Sequence, residues 1–117
     1  MPRDYKLYLE DMLDSAQWLR ETATGQPLER YFNDRMFRDA VVHNLEIIGE
    51  AAKHIPAEVR QQYSDIEWRK IAGLRDRVAH EYLGLHLETL KSAVDVNITN
   101  LTQQLQFMLE GFSRSES

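Results

Sequence analysis

Arg75, Asp76, Arg77, His80 and Tyr82 fall within eight consecutive positions of the stretch L-R-D-R-V-A-H-E-Y-L-G-L, residues 74 to 85. A guanidinium is permanently charged and presents planar, paired N–H donors that match phosphate oxygens, whereas an imidazole titrates near neutral pH and can take up or release a proton. Together Arg75 and His80 could hold a phosphodiester and move a proton at a ribose 2′-hydroxyl or at the leaving oxygen, chemistry that needs no metal ion. Asp76 lies one helical turn before His80, where a carboxylate can accept an imidazole N–H, fix the tautomer and raise the basicity of the ring. The same spacings have a structural reading: Asp76 with His80 stabilises a helix carboxyl end, and Arg77 with Glu81 is an ordinary surface pair. Spacing alone leaves both readings open.

Helical geometry adds a constraint. On an unbroken helix at ~100° per residue, Arg75 and His80 stand about 140° apart. They converge on one small ligand only where the helix frays, bends or opens towards a second subunit, and Gly84 makes an early end plausible. Arg75 and Tyr82, seven residues apart, share one edge.

The elements that must position these groups are all helical. Tyr5, Tyr8, Leu9, Met12, Leu13, Ala16 and Leu19 recur at steps of three and four, predicting a first helix over 3 to 22 that ends at Gly25 and Pro27. A short helical turn follows at 28 to 32. From an N-cap at Asn33 or Asp34, a long, central helix carries Phe37, Ala40, Val41, Leu45, Ile48, Ala52 and Ile55 and stops at Pro56. Residues 57 to 63 read as a brief helix or connector. Ser64 and Glu67 have capping-box spacing, which predicts a fourth helix from Ile66 that contains the reactive stretch. The last helix, 86 to 110, sets Leu87, Leu90, Val94, Ile98, Leu101, Leu105, Met108 and Phe112 on one seam, ended by Gly111. That seam nearly satisfies a heptad, so core within the chain and contact with another chain are both readings of it. The expected fold is all-α: an antiparallel bundle of four main helices plus one or two short ones, with 1 to 112 as a single domain and 113 to 117 as a polar tail.

The chain has 117 residues, 43% hydrophobic and 28% charged, which suits one compact domain. It has no cysteine, which excludes disulfides, thiolate metal sites and thiol catalysis. The charged start M-P-R-D-Y-K and the lack of an apolar run near ~20 residues lead to the expectation of a cytoplasmic chain with no membrane contact. Net charge is −5, but Arg69, Lys70, Arg75 and Arg77 against Asp76 make 69 to 80 a +3 segment. Clustered cations of this kind suit a polyanion, with Arg69, Lys70 and Arg77 as candidate RNA contacts.

Asp39, His43, Glu46 and Glu50 line one edge of the second long helix at steps of four, three and four. Such a face can bind metal in a bundle, but the other helices supply no matching set and the order His43-x-x-Glu46 is reversed. The expectation is a polar edge, no metal and no cofactor. His54 and His86 read as capping or solvated residues, and Trp18 and Trp68 as core or interface anchors rather than base-stacking platforms. With no glycine-rich phosphate loop, the chain is not expected to bind ATP itself.

The motif Arg75-x4-His80-x-Tyr82 resembles the R-x4-6-H signature of HEPN ribonucleases, and its x-Tyr extension is similar to the HepT toxin branch. Two longer segments carry the same resemblance: R-D-A-V-V-H-N-L-E-I-I-G-E-A-A-K-H-I at 38 to 55 and W-R-K-I-A-G-L-R-D-R-V-A-H-E-Y at 68 to 82. The resemblance implies a HEPN-like helical fold and a metal-independent endoribonuclease toxin acting on RNA, commonly tRNA. It implies a homodimer whose two motifs line one cleft, and an MntA-type nucleotidyltransferase antitoxin that transfers AMP from ATP to the motif tyrosine. On that pattern Arg75 and His80 are catalytic, Asp76 supporting, and Tyr82 the modified hydroxyl. A non-catalytic helical interaction module is the alternative expectation.

Overall fold

The computed structural model describes residues 4–84 and 86–116, and the regular elements within them are all helical. Helix α1 (Tyr5–Trp18) starts at Asp4, whose carboxylate accepts the Lys6 N–H at 3.2 Å, and runs on into a π-helical turn, Leu19–Ala23. Gly25 then reverses the chain with φ +81°, a conformation costly for other residues, and its N–H donates to Asp95 Oδ1 at 2.9 Å. After α2 (Leu28–Asn33), Asp34 caps α3 (Arg35–Ala52) by accepting the Phe37 N–H at 3.1 Å. That bond is the main reason the Asp34 carboxyl is held below its ordinary range. Three shorter helices follow, α4 (Ala57–Gln62), α5 (Trp68–Ala72) and α6 (Leu74–Leu83), before the long α7 (Leu87–Glu116).

The main helices of the bundle are α1, α3, α6 and α7. Helix α3 is central, touching α1, α2, α5 and α6, and buries Phe37, Val41, Leu45, Ile48 and Ala52 at steps of three and four. The seam of α7 is core within the chain: Leu87, Leu90, Val94, Ile98, Leu101, Leu105 and Met108 are buried against α1, α2 and α6. At 1.5 Å per residue a 30-residue helix is about 45 Å long, which sets the 47 Å long axis of the molecule.

Four boundaries differ from the sequence expectation. The single fourth helix divides at Gly73 into α5 and α6, which adds a third short helix. Ser64 does not cap α5; Trp68 fixes its start instead, with its backbone N–H on Ile66 O, its indole N–H on Tyr63 O at 3.0 Å, and only 6% of the residue exposed. Burying a large ring whose single donor is satisfied outweighs a surface cap. Helix α3 ends at Ala52 rather than at Pro56, because a residue before proline is disfavoured in the helical region and the chain tightens into i−3 bonds over 53 to 55. Helix α7 passes through Gly111, since a lone glycine costs about 1 kcal/mol but keeps both backbone hydrogen bonds. The expected tail begins inside this helix, and Ser117 lies outside the described residues.

Helix α3 closely approaches the α5–α6 junction at Gly49. A Cβ there would stand 3.1 Å from Ile71 O and Leu74 Cβ and 3.3 Å from the Arg75 backbone nitrogen. Gly49→Val should therefore push the α5–α6 junction outward and lower stability by about 1–3 kcal/mol, measured by urea unfolding. An unchanged midpoint would show that this approach is not tight.

Tyr31 is fully buried, its ring T-shaped on Phe37 at 5.0 Å, and its hydroxyl has no hydrogen-bond partner. Burial first, and the Asp95 charge second, push it from 10.0 up to about 12. Its neutral form thus contributes stability fully below pH 10, and this is lost as pH rises through about 12, because the unfolded phenol ionises first. Tyr31→Phe should be neutral or up to about 1 kcal/mol stabilising at pH 7. It should also flatten the alkaline loss in a pH series of thermal unfolding.

Candidate active site

Helix α6 carries little apolar surface, with Val78 buried and Leu74 and Tyr82 partly so, and packs between α3 and α7. Its alignment against α3 is antiparallel and pinned at both ends. Near its start, Arg75 Nη1 donates to Glu50 Oε1 at 3.2 Å; near its end, Tyr82 Oη donates to Asp39 Oδ1 at 2.9 Å. The Arg75–Tyr82 edge of α6 thus lies along the Asp39–Glu50 polar edge of α3.

At the first pin, the same Glu50 oxygen also accepts the Lys53 ammonium at 3.2 Å, and Lys53 first, then Arg75, hold the Glu50 carboxyl below its ordinary range. Both partners are well exposed, and Arg75 opens onto a surface cleft of about 340 Å³ lined also by Tyr8, His43, Glu46 and His54. His54 is not merely solvated: its ring stacks on Tyr8 at 4.3 Å and 9°. At the second pin, Asp39 Oδ2 faces Arg35 Nε at 3.5 Å. The Arg38 guanidinium sits 5.5 Å from the centre of the Tyr82 ring, anchored by hydrogen bonds to the carbonyls of Tyr31 and Phe32.

His80 stands elsewhere. Helix α6 is continuous from Leu74 to Leu83, so Arg75 and His80 keep the separation of about 140° that regular helical geometry imposes. His80 is exposed and does not line the Arg75 cleft. Its ring lies 6.4 Å from that of His86, at 24°, across Gly84, where a Cβ would come 2.8 Å from His86 Cδ2. Asp76 is also exposed, and among the described residues no side-chain hydrogen bond or ion pair joins it to His80. In water-facing positions one turn apart, such a pair gains little over solvation.

The basic patch is divided and largely matched by carboxylates. Arg77 Nε donates to Glu81 Oε1 at 3.0 Å, and the Glu81 side chain is only 10% exposed, so this is a part-buried pair rather than a surface one. Lys70 faces Glu67 at 3.5 Å, while Arg69 is exposed. Lys70 and Arg77 line a second cleft, about 240 Å³, between α5–α6 and α7, on the other flank of α6 from Arg75. Among the described residues no group of three or more His, Asp or Glu is placed to hold a metal ion, and no helix is long and apolar enough to cross a membrane.

A family model described as "Ribonuclease HepT-like" matches residues 12–108, which include every candidate site residue above. The chain belongs to this ribonuclease family. It is 36% identical over 103 residues to "Putative RNase TTE0752" of Caldanaerobacter subterraneus, covering 88% of this chain and 92% of that protein. It is 35% identical over 101 residues to "Probable ribonuclease HepT" of Thermococcus cleftensis, covering 86% and 92%. It is 30% identical over its whole length to "Gamma-glutamylcyclotransferase and putative RNase MJ0434" of Methanocaldococcus jannaschii, of which it spans 53%. No solved structure matches the chain.

Nothing in the sequence marks Asp39 as the partner of Tyr82, Glu81 as buried, or His86 as the neighbour of His80. The only signal for the first was the i+4, i+3, i+4 polar edge of α3, which does not say what lies opposite. Glu50 occupies Arg75 through this ion pair, so, were Arg75 a phosphate contact, Glu50→Gln would be expected to tighten binding of single-stranded RNA by roughly up to fivefold, the range of an exposed ion pair. Fluorescence anisotropy with a labelled oligonucleotide measures this, and weaker binding would make Glu50 a support for Arg75 instead.

Proposed function

We propose that this chain is a metal-independent endoribonuclease toxin that acts on RNA, with tRNA the expected substrate, and is silenced by AMPylation of Tyr82. Membership of the ribonuclease family supports the reaction class, and the observation that carries the site is Arg75, exposed on an open cleft and on the same ten-residue helix as His80. In this mechanism His80 takes the 2′-hydroxyl proton, the 2′-oxygen attacks the adjacent phosphorus, and the P–O5′ bond breaks, the 5′-oxygen taking up a proton from water and leaving a 2′,3′-cyclic phosphate behind. Arg75 stabilises the charge that develops on the phosphate oxygens. Arg69 and Lys70 lie on exposed positions around the motif, where they can contact the RNA backbone, and Asp76, one turn before His80, supports the imidazolium charge that forms there. Arg77 is committed to Glu81 and contributes less.

The separation of Arg75 from His80 on one helix supports a homodimer in which each composite site takes its arginine from one protomer and its histidine from the other. Arg75→Ala and His80→Ala should each abolish cleavage of total tRNA in EDTA while leaving helicity and dimer mass unchanged. In heterodimers formed from the two variants, one composite site is intact and about half of the parental activity should return. Mixtures that stay inactive would place both groups in one protomer.

The proposed regulator is an MntA-like nucleotidyltransferase antitoxin. AMP on Tyr82 adds a negatively charged nucleotide to the edge that also carries Arg75, where it competes with the RNA phosphate for that guanidinium. A second reading, a non-catalytic docking module, is favoured by one observation: Arg75, Arg77 and Lys70 each already face a carboxylate. Failure of the parental chain to cut tRNA under any of these conditions supports that reading.

A further inference from the structure

We infer that Asp39 is the general base for nucleotidylation of Tyr82, and that Arg35 and Arg38 are the cations that receive the transferred phosphoryl group; this rests on the reading of Tyr82 as the acceptor. A phenol in water ionises near pH 10, so at neutral pH it is a weak nucleophile until a base within hydrogen-bond reach takes its proton. Tyr82 has one such base, Asp39, with Oη donating to Oδ1 at 2.9 Å. The Asp39 side chain is 49% exposed and its hydrogen bond to the partly buried Tyr82 lies at the surface, where a partner enzyme can reach it.

The cations beside them complete a phosphate-receiving site. Arg38 is fixed by the carbonyls of Tyr31 and Phe32, which holds its charge 5.5 Å from the Tyr82 ring centre. Arg35, 83% exposed and 3.5 Å from Asp39 Oδ2, is free to turn towards an arriving anion. Arg35 and Arg38 against Asp39 leave this cluster with one net positive charge. The Arg75 cleft differs, with Asp11, Glu46 and Glu50 against Arg75.

In the step itself, Tyr82 Oη attacks the α-phosphorus of a nucleoside triphosphate held by the partner nucleotidyltransferase. The Oη–P bond forms, the bond from that phosphorus to the bridging oxygen breaks, and pyrophosphate leaves with the electron pair. The phenolic proton passes to the Asp39 carboxylate and on to solvent. The product Oη has no proton to donate, so the link to Asp39 is lost, and the new phosphodiester charge faces Arg35 and Arg38 instead.

The test is AMP incorporation by intact-mass measurement, with the parental chain, an MntA-like nucleotidyltransferase and ATP. Asp39→Asn keeps a hydrogen-bond acceptor for the phenol but cannot take its proton. It should lower kcat for AMP transfer by roughly 10²-fold, with KM for the chain within about twofold and unchanged helicity. Asp39→Glu should restore most of the rate, and Arg38→Gln should lose about tenfold. If Asp39→Asn does not fold, Asp39→Ser, which also offers an acceptor, carries the same expectation. Transfer at the parental rate in either variant, or a Glu variant as slow as the Asn one, overturns the role of Asp39 while Tyr82 remains the acceptor. A parental chain that gains no AMP, or gains it away from Tyr82, overturns the acceptor reading itself.

Discussion

Helix α3 meets the α5–α6 junction at Gly49 so closely that an added Cβ would push its neighbours outward, and the placement of α6 follows from that contact. Helix α6 has too little apolar surface to choose its own position, because a short helix draws its stability from packing rather than from its own hydrogen bonds. The missing Cβ lets the α5–α6 junction settle onto α3, and the two polar pins then fix the alignment. Arg75 bonds across 25 residues to Glu50, and Tyr82 across 43 residues to Asp39. Widening the gap at Gly49 would therefore disturb two sites at once.

Electrostatics divide the motif cations into two kinds. Arg75 and Lys70 sit in exposed pairs, of the sort worth little in water, so a polyanion can redirect them at small cost. Arg77 faces a carboxylate that is nearly buried, and withdrawing it would leave Glu81 desolvated without a partner. An acidic chain can thus present a usable basic patch without standing repulsion in its free form.

The continuity of α6 is the second constraint. A helix that ended early would have swung His80 towards Arg75; instead the last turn is complete and Gly84 serves to seat His86 beside His80. One chain therefore presents the motif residues on two separate surfaces. The Arg75–Tyr82 edge lies against α3, and the Asp76–His80 face looks outward into solvent, where a second copy or a bound RNA can meet it.

The sequence by itself determined the helical class, the apolar faces of α1, α3 and α7, the turn at Gly25 and Pro27, a cap at Asn33 or Asp34 and the identity of the motif residues. All of these depend on neighbours a few positions away, through the 3.6-residue period, backbone freedom or a local hydrogen bond. The 140° between Arg75 and His80 was legible for the same reason. Only the tertiary structure decided that the fourth helix breaks at Gly73, that Glu81 is buried, that Asp76 leaves His80 alone, and that Tyr82 is held by Asp39. Each of these depends on how one helix slides and turns against another, and that register is set by contacts summed over the whole interface, which no single stretch of residues encodes.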